Sequence, residues 1–357
     1  MSRYAFLSTA AALLSALSLA PGITLAQPPS VKSTEPSLSK AEVDRLESKH
    51  LRQIRQVTTG FARAGEGYFS PDGKTVIFQA SKTPEGDYQI YTLDLKPGAE
   101  PRLVSTGKGK TTCSFFHPDG KSIIFASTHL APAEPAAKKG PAYSRSERYR
   151  WDFDAAMDIF RAEPDGSHLV RLTDTPGYDA EGSYSPDGKQ IVFTSFRDGD
   201  AEIYIMDADG KNPRRITRAK GYDGGPFFSP DGKKIIYRSD RKQNDLLQVF
   251  INNVEGTAER ALTNNEAVNW GPFFHPDSRH IVYSTSLHGH QNYEVYLMDT
   301  ETGRQERITY REGFDGLPVF SRDGKKLLWT SKGRSADNTS QLFIADFEIG
   351  DRPVAGR

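Results

Sequence analysis

The chain lacks several features that would assign a function directly. It has a single cysteine, Cys113, in 357 residues, so an internal disulfide is excluded. Lysine plus arginine equals aspartate plus glutamate at 46 each, so no overall charge attracts nucleic acid or an anionic membrane. The motifs Gly-x-Ser-x-Gly and His-Glu-x-x-His and a glycine-rich phosphate loop are missing. Nucleic acid is therefore excluded as an expected partner, and no common catalytic motif points to an enzyme.

Long apolar runs are also scarce, and the one present lies at the N-terminus. Arg3 is followed by an apolar stretch over residues 5–20 and by small residues before Gln27. This pattern predicts a secretory signal over residues 1–26, cleaved after Ala26, and a periplasmic or secreted protein without an integral membrane span. Residues 27–50 are expected to form a linker and a short helix, and residues 348–357 a C-terminal tail.

The chain does contain a repeated turn, Pro-Asp-Gly or a near copy, six times. Its third position is suited to glycine, which adopts the left-handed conformation most readily. The prolines of the first five copies, and Arg322 in the sixth, are 47, 68, 44, 46 and 46 residues apart. A period in the forties with several short strands per unit is typical of a propeller. The copies begin at Ser70, His117, Ser185, Ser229, His275 and Ser321.

Each repeat can be divided into four strands. In the third, Gly182-Ser183-Tyr184-Ser185 enters the turn, residues 190–195 leave it, residues 202–206 follow, and Arg214-Arg215-Ile216-Thr217 ends the unit. Four strands in each of six units predict an all-β fold, a six-bladed β-propeller over residues 51–347. The Arg-x-x-Thr end of the unit is missing after the last repeat, but Arg55-Gln56-Val57-Thr58 precedes the first. We therefore expect an N-terminal strand to complete the last blade, which leaves no open edge.

These repeats resemble a known family. The Ser-Pro-Asp-Gly-Lys turn, the Ile-Tyr-x-Met-Asp third strand and the Arg-x-x-Thr fourth strand are similar to the TolB-like, WD-repeat-like β-propellers. The resemblance covers the whole predicted ring and implies an envelope protein that binds partners. That family also carries an N-terminal α/β domain, whereas here only about 25 residues separate the predicted signal from the ring. Similar blades occur in peptidase domains and in oligogalacturonate-lyase-like enzymes, so the repeat is more specific for fold than for function.

Acidic side chains recur where the innermost strands begin. The repeats align Asp179, Asp223, Asn269 and Asp315 at one position, and Glu66 and Glu181 two positions further on. Such a ring at the channel mouth would suit a hard cation such as Ca²⁺, or a cationic group of a ligand. The alternative is that each Asp or Asn caps its own connection through backbone amides.

The second repeat contains an insertion of roughly 22 residues between His129 and Met157, on the same expected face. Its second half mixes arginine with aromatic residues, a composition common in partner-binding loops. The alternative is an exposed loop that covers the blade edge. The candidate partner-binding residues are Arg145, Arg148, Arg150, Trp151 and Phe153.

The sequence therefore predicts a monomeric binding or scaffold module of the cell envelope, with an envelope protein or peptide, or an oligosaccharide, as partner. The alternative is a carbohydrate-active enzyme that resembles oligogalacturonate lyase and uses carboxylates and histidines at the channel mouth. The two differ because an enzyme needs a base within about 3 Å of a substrate proton, whereas a scaffold needs an exposed patch of apolar and arginine side chains.

Overall fold

The structure is a computed structural model and describes residues 38–131 and 153–350. Within these residues, 24 strands form six antiparallel four-stranded sheets. The predicted six-bladed β-propeller is therefore confirmed. A helix and a strand precede the first blade: α1 (Lys40–Glu47) and β1 (Leu51–Gln56).

Blades one to three follow the chain, with the innermost strand first in each. Their strands are β2 (Arg63–Phe69), β3 (Thr75–Ser81), β4 (Gln89–Asp94) and β5 (Arg102–Leu103), then β6 (Thr111–Phe116), β7 (Ile123–Ser127), β8 (Asp158–Ala162) and β9 (Val170–Arg171), then β10 (Asp179–Tyr184), β11 (Gln190–Ser195), β12 (Glu202–Asp207) and β13 (Arg214–Arg215).

Blades four to six repeat this order, and the last blade contains three strands from its own end of the chain. The strands are β14 (Asp223–Phe228), β15 (Lys234–Ser239), β16 (Gln248–Asn253) and β17 (Arg260–Ala261), then β18 (Asn269–Phe274), β19 (His280–Thr285), β20 (Glu294–Asp299) and β21 (Gln305–Arg307), then β22 (Phe314–Phe320), β23 (Lys326–Lys332) and β24 (Gln341–Phe347).

Strand β1 is the outer strand of the last blade. It pairs antiparallel with β24, and Leu51 lies opposite Phe347. The ring is also joined by Ala64 of blade one, whose N–H donates to the Ser340 carbonyl of blade six at 2.7 Å. The expected closure by the N-terminal strand is confirmed.

A hydroxyl at the end of each outer strand repeats the same contact in all six blades. It accepts the N–H of the third strand, as when Thr217 Oγ1 accepts from Ile203 at 2.8 Å. Thr58 makes this bond to Leu342 at 2.9 Å, so the N-terminal segment replaces the missing Arg-x-x-Thr end in detail. The other hydroxyls belong to Ser105, Thr173, Thr263 and Thr309.

The repeated turn has the predicted form. In blade three, Asp187 Oδ1 accepts from the Ser185 hydroxyl at 2.7 Å and from the Lys189 N–H at 3.1 Å. Gly188 has a φ of 73°, the left-handed region that favours glycine. These turns lie at the ends of the inner strands, on the face opposite the inner-strand starts.

The hydrophobic core lies between neighbouring blades. Ile124 and Ile159 of blade two pack against Ile191 and Phe193 of blade three, and comparable clusters join the other blades. Because each sheet is covered on both faces, its middle strands are buried on both sides, as in β11, where five of six residues are buried. The sheets are therefore held in a ring around a central channel.

Candidate functional site

Three aspartates start inner strands at the face that we call the mouth face, where the loops between second and third strands also lie. Each is buried and bound to an arginine from its own blade's loop. Asp179 is 3.0 Å from Arg197, and Asp223 is 2.7 Å from Arg241 (Oδ2 to Nη2). In blade six, Asp315 Oδ2 is 2.7 Å from Arg334 Nη2. These carboxylates neutralise arginines, a use that neither sequence interpretation included.

Asn269 holds the equivalent position in blade five and makes different contacts. Its Nδ2 donates to Asn265 Oδ1 at 2.8 Å and to the Ala267 carbonyl at 3.0 Å. The position of the arginine in this blade is held by Leu287. Within residues 38–131 and 153–350, no group of three or more His, Cys, Asp or Glu side chains could hold a metal ion. A calcium ion at the mouth would have to displace the arginines, and the calcium site remains a prediction.

Two residues further along each inner strand, a second set of residues forms a ring around the channel. In every inner strand the register shifts here, and the residue at the bulge has a positive φ between 46° and 59°. For a residue other than glycine this conformation costs about 1–2 kcal/mol, and such strain is concentrated at functional sites. Four of the six are not glycine. The ring consists of Glu66, Cys113, Glu181, Gly225, Gly271 and Leu317.

Glu181 is the most heavily bonded carboxylate of this ring. It is buried and accepts hydrogen bonds from the Thr194 hydroxyl at 2.7 Å, the Tyr222 hydroxyl at 2.9 Å and the Gly225 N–H at 2.8 Å. It also forms a buried salt bridge with Arg238. Four donors satisfy this carboxylate, so it fixes the positions of its neighbours.

Arg238 comes from β15, at a position where blade one has Gln79 and the remaining blades have a small residue such as Thr194 or Ala126. Gly225 makes room for it, because a Cβ at Gly225 would lie 2.1 Å from Arg238 Nη1. The guanidinium is also 5.6 Å from the centre of the Tyr222 ring. Glycine at the bulge and arginine on the neighbouring strand therefore form one unit that places a cation at the channel axis.

Glu66 differs from Glu181 in how it is compensated. Its Oε1 is 3.3 Å from the Tyr68 hydroxyl, a long hydrogen bond. Burial and, to a smaller extent, the nearby charge of Glu181 together raise the pKa of Glu66 to about 7, against the opposing effect of Arg238 and of hydrogen bonds from Cys113 and Tyr68. Burial likewise raises the pKa of the Cys113 thiol. Glu66 is therefore a carboxyl that changes charge near neutral pH.

Aromatic rings close the channel below these groups. The Tyr68 ring is 5.1 Å from Phe115 and 5.7 Å from Phe227, and Phe227 is 5.0 Å from Phe273, so rings from four blades meet. Above them lies a cavity of about 30 Å³, the axial pocket, bounded by Glu66, Tyr68, Cys113, Glu181, Arg238, Phe227 and Phe273. This volume holds a water-sized group but not a sugar ring.

The described end of the insertion lies on the mouth face. Phe153 packs 4.7 Å from Phe196, 5.2 Å from Tyr178 and 5.5 Å from Tyr222, between ring centres. Since Tyr222 bonds Glu181, the insertion is linked to the axial pocket through one side chain. The other predicted loop residues, Arg145, Arg148, Arg150 and Trp151, lie outside the described residues.

The structure thus brings Glu66 and Glu181 together at the axis, and places Asp179, Asp223, Asn269 and Asp315 in separate contacts above. Sequence reasoning missed Arg238 and the mouth arginines. A signal for the latter exists, because Asp179 and Asp223 each have an arginine 18 residues later, whereas Asn269 has a leucine there.

Comparisons with known proteins support the propeller fold. The TolB beta propeller domain model matches residues 152–244 and 243–353, more than half of the chain. Over 39 residues, 11% of this chain, the sequence is 49% identical to the Tol-Pal system protein TolB of Bordetella pertussis, and the match spans only 9% of that relative.

Two solved structures show the same fold at low identity. A putative TolB from Agrobacterium tumefaciens has a TM-score of 0.57 and 22% identity, over 80% of this chain and 91% of its own. An oligogalacturonate lyase from Vibrio parahaemolyticus has a TM-score of 0.52 and 13% identity, over 82% of this chain and 93% of its own. Identities this low show the fold alone, so the assignment rests on the domain model and the repeats. On that evidence, the chain belongs to the TolB beta-propeller domain family.

Proposed function

We propose that this protein is a binding module of the cell envelope that docks a protein or peptide on its mouth face. Family membership supports a scaffold. The N-terminal signal pattern of residues 1–26 supports a periplasmic or secreted location. Among the described residues, no helix has the length and apolarity needed to cross a bilayer.

The main support for the proposal is the exposure of apolar side chains on the mouth face. Phe153 is 38% exposed although it packs on three aromatic rings, and Leu130 and Leu287, in the loops of blades two and five, are 58% and 47% exposed. An aromatic side chain held rigidly by others, with a free face, is the usual form of an interface hot spot. Arg150 and Trp151 belong to the same insertion and are separated from Phe153 by Asp152 alone.

The experiment uses the mature protein as bait on a solubilised envelope fraction of its own organism, followed by affinity measurement with the captured partner. Phe153→Ala and the double change Arg150→Ala/Trp151→Ala should each weaken binding about 30-fold, equivalent to about 2 kcal/mol. Leu169→Ala is the matched control, because Leu169 is 36% exposed but lies beside β9, at the outer edge of blade two. Unchanged affinity in both loop variants would contradict the proposal.

The carbohydrate-active alternative makes a different prediction. A lyase would turn over oligogalacturonate, and changes at Glu181, Asp223 or His290 would abolish turnover, whereas loop variants would alter mainly the range of substrates. Turnover by the purified protein, lost in such a variant that still folds and with no protein partner captured, would replace the scaffold proposal. The monomeric state is checked in the same preparation by light scattering.

A further inference from the structure

The axial pocket has an uneven balance of charge. Among residues 38–131 and 153–350, two carboxylates, Glu66 and Glu181, face it with one guanidinium, that of Arg238. Arg238 forms its salt bridge with Glu181, which has three further donors. The Glu66 carboxylate has weaker partners: a long hydrogen bond from the Tyr68 hydroxyl at 3.3 Å and a hydrogen bond from the Cys113 thiol. When both carboxylates are charged, the pocket carries one uncompensated negative charge, which is costly to bury.

The pocket floor also favours a cation. Tyr68, Phe227 and Phe273 line it, and Tyr68 and Phe227 are 5.7 Å apart between ring centres. Aromatic faces attract cations through their quadrupole, more strongly where water is excluded. A carboxylate at the side and rings below are the surroundings in which an ammonium group gains both hydrogen bonds and cation–π contact.

The size of the axial pocket limits which cations can bind in it. The volume of about 30 Å³ accommodates a single small group such as –NH₃⁺ but not a planar guanidinium or a quaternary ammonium. An ammonium has three donors and no acceptor, which matches a site whose Glu66 carboxylate only accepts hydrogen bonds when it is charged.

We propose that the axial pocket binds one primary ammonium group, from a lysine side chain or a free N-terminus, with Glu66 as its counter-ion. The inference rests on the proposed function, because the ammonium would be carried by the partner that docks on the mouth face. It assigns the strained residue Glu66 a role in recognising that partner, and Glu181 with Arg238 the role of holding the pocket open.

The test uses methylammonium chloride as probe on the mature protein, with tetramethylammonium, sodium and calcium chlorides at equal ionic strength. Methylammonium should raise the melting temperature in a saturable manner and shift the amide NMR signals of Glu66 and Gly225. Tetramethylammonium and sodium should not. Glu66→Gln should abolish both effects, and Glu100→Gln, a change at an exposed glutamate outside the pocket, should preserve them.

The pH dependence provides an independent readout. The groups that face Glu66 are Arg238, Glu181, Cys113 and Tyr68, and with the pKa of Glu66 near 7 the fraction charged rises roughly tenfold between pH 6 and pH 8. Methylammonium affinity should rise by the same factor. Equal responses to all four salts, a response to calcium alone, or methylammonium binding that survives Glu66→Gln would each overturn the proposal.

The two proposals can fail separately. If methylammonium does not bind but Phe153→Ala weakens partner capture, the mouth face still docks a protein and only the ammonium site is wrong. If methylammonium binds at Glu66 but no partner is captured, the pocket is established and the docking proposal is wrong. With a captured partner, acetylating its lysine side chains and its N-terminus in turn distinguishes the two possible sources of the ammonium group.

Discussion

Arg334 donates from both terminal guanidinium nitrogens to the carboxylate of Glu47, and so ties α1 to the last blade. Both side chains are almost fully buried, and Arg334 also binds Asp315. The same Glu47 carboxylate accepts the Tyr310 N–H at 2.9 Å. Helix α1 thereby forms one wall of a cleft of about 660 Å³ beside blades five and six. In blade six, the pairing of Asp with Arg on the mouth face therefore includes a further residue, Glu47, which lies outside the repeats.

We predict that Glu47→Ala lowers the free energy of unfolding by about 2 kcal/mol. The change leaves the buried Arg334 with one carboxylate partner instead of two and removes the acceptor of the partly buried Tyr310 N–H. Asp44→Ala is the control, since Asp44 is exposed on the same helix. Urea denaturation measures both, and equal stability of the two variants would mean that α1 is not anchored in this way.

We also predict unequal effects along the closing strand. Leu51 is 3% exposed and packs in the core with Phe347, whereas Ile54 on the same strand is 36% exposed. Leu51→Ala should cost about 2–4 kcal/mol, and Ile54→Ala less than about 1 kcal/mol. Thermal and urea unfolding of the two variants measure these losses of stability. Similar losses in the two variants would argue against the observed register of β1 and β24.

The repeats were enough to predict the blades and their closure, because the turn chemistry and the Arg-x-x-Thr end are local patterns. They also placed Glu66 and Glu181 at equivalent positions of their inner strands. They did not reveal that Arg238 fills the space over Gly225, because that contact joins two strands and depends on the fact that glycine has no side chain. The pairing of Asp179 with Arg197 was missed although both residues recur at a fixed spacing. Alignment of each blade's second loop, in addition to its turn, would have predicted it.

We expect Gly225→Ala to disrupt the axial pocket. Its φ is 59°, and a Cβ would meet Arg238 Nη1 at 2.1 Å, so the guanidinium must move away from Glu181. Gly73→Ala is the matched control, because φ there is 69° and no atom lies within 4 Å of the added Cβ. The left-handed strain of about 1 kcal/mol is common to both. Gly225→Ala should cost at least about 2 kcal/mol more, since a buried salt bridge is broken, and equal unfolding midpoints would contradict this.

Glu66 gives a prediction about pH. Its pKa in the folded protein is about 7, above the ordinary value of 4.5, so the folded state holds the proton more tightly than the unfolded state. The stability that this group contributes is fully present below about pH 4.5 and is lost as the pH rises through 7. Glu66→Gln resembles the protonated form at every pH and cannot lose that stability.

The free energy of unfolding of Glu66→Gln relative to the wild type should therefore rise by roughly 2 kcal/mol between pH 5 and pH 8. Taking the difference between two proteins cancels the titration of the other buried carboxyls, such as Asp179 and Asp223. Urea denaturation of both proteins at the two pH values measures it. A constant difference would mean that Glu66 does not change its charge between pH 5 and pH 8, which would contradict a pKa near 7.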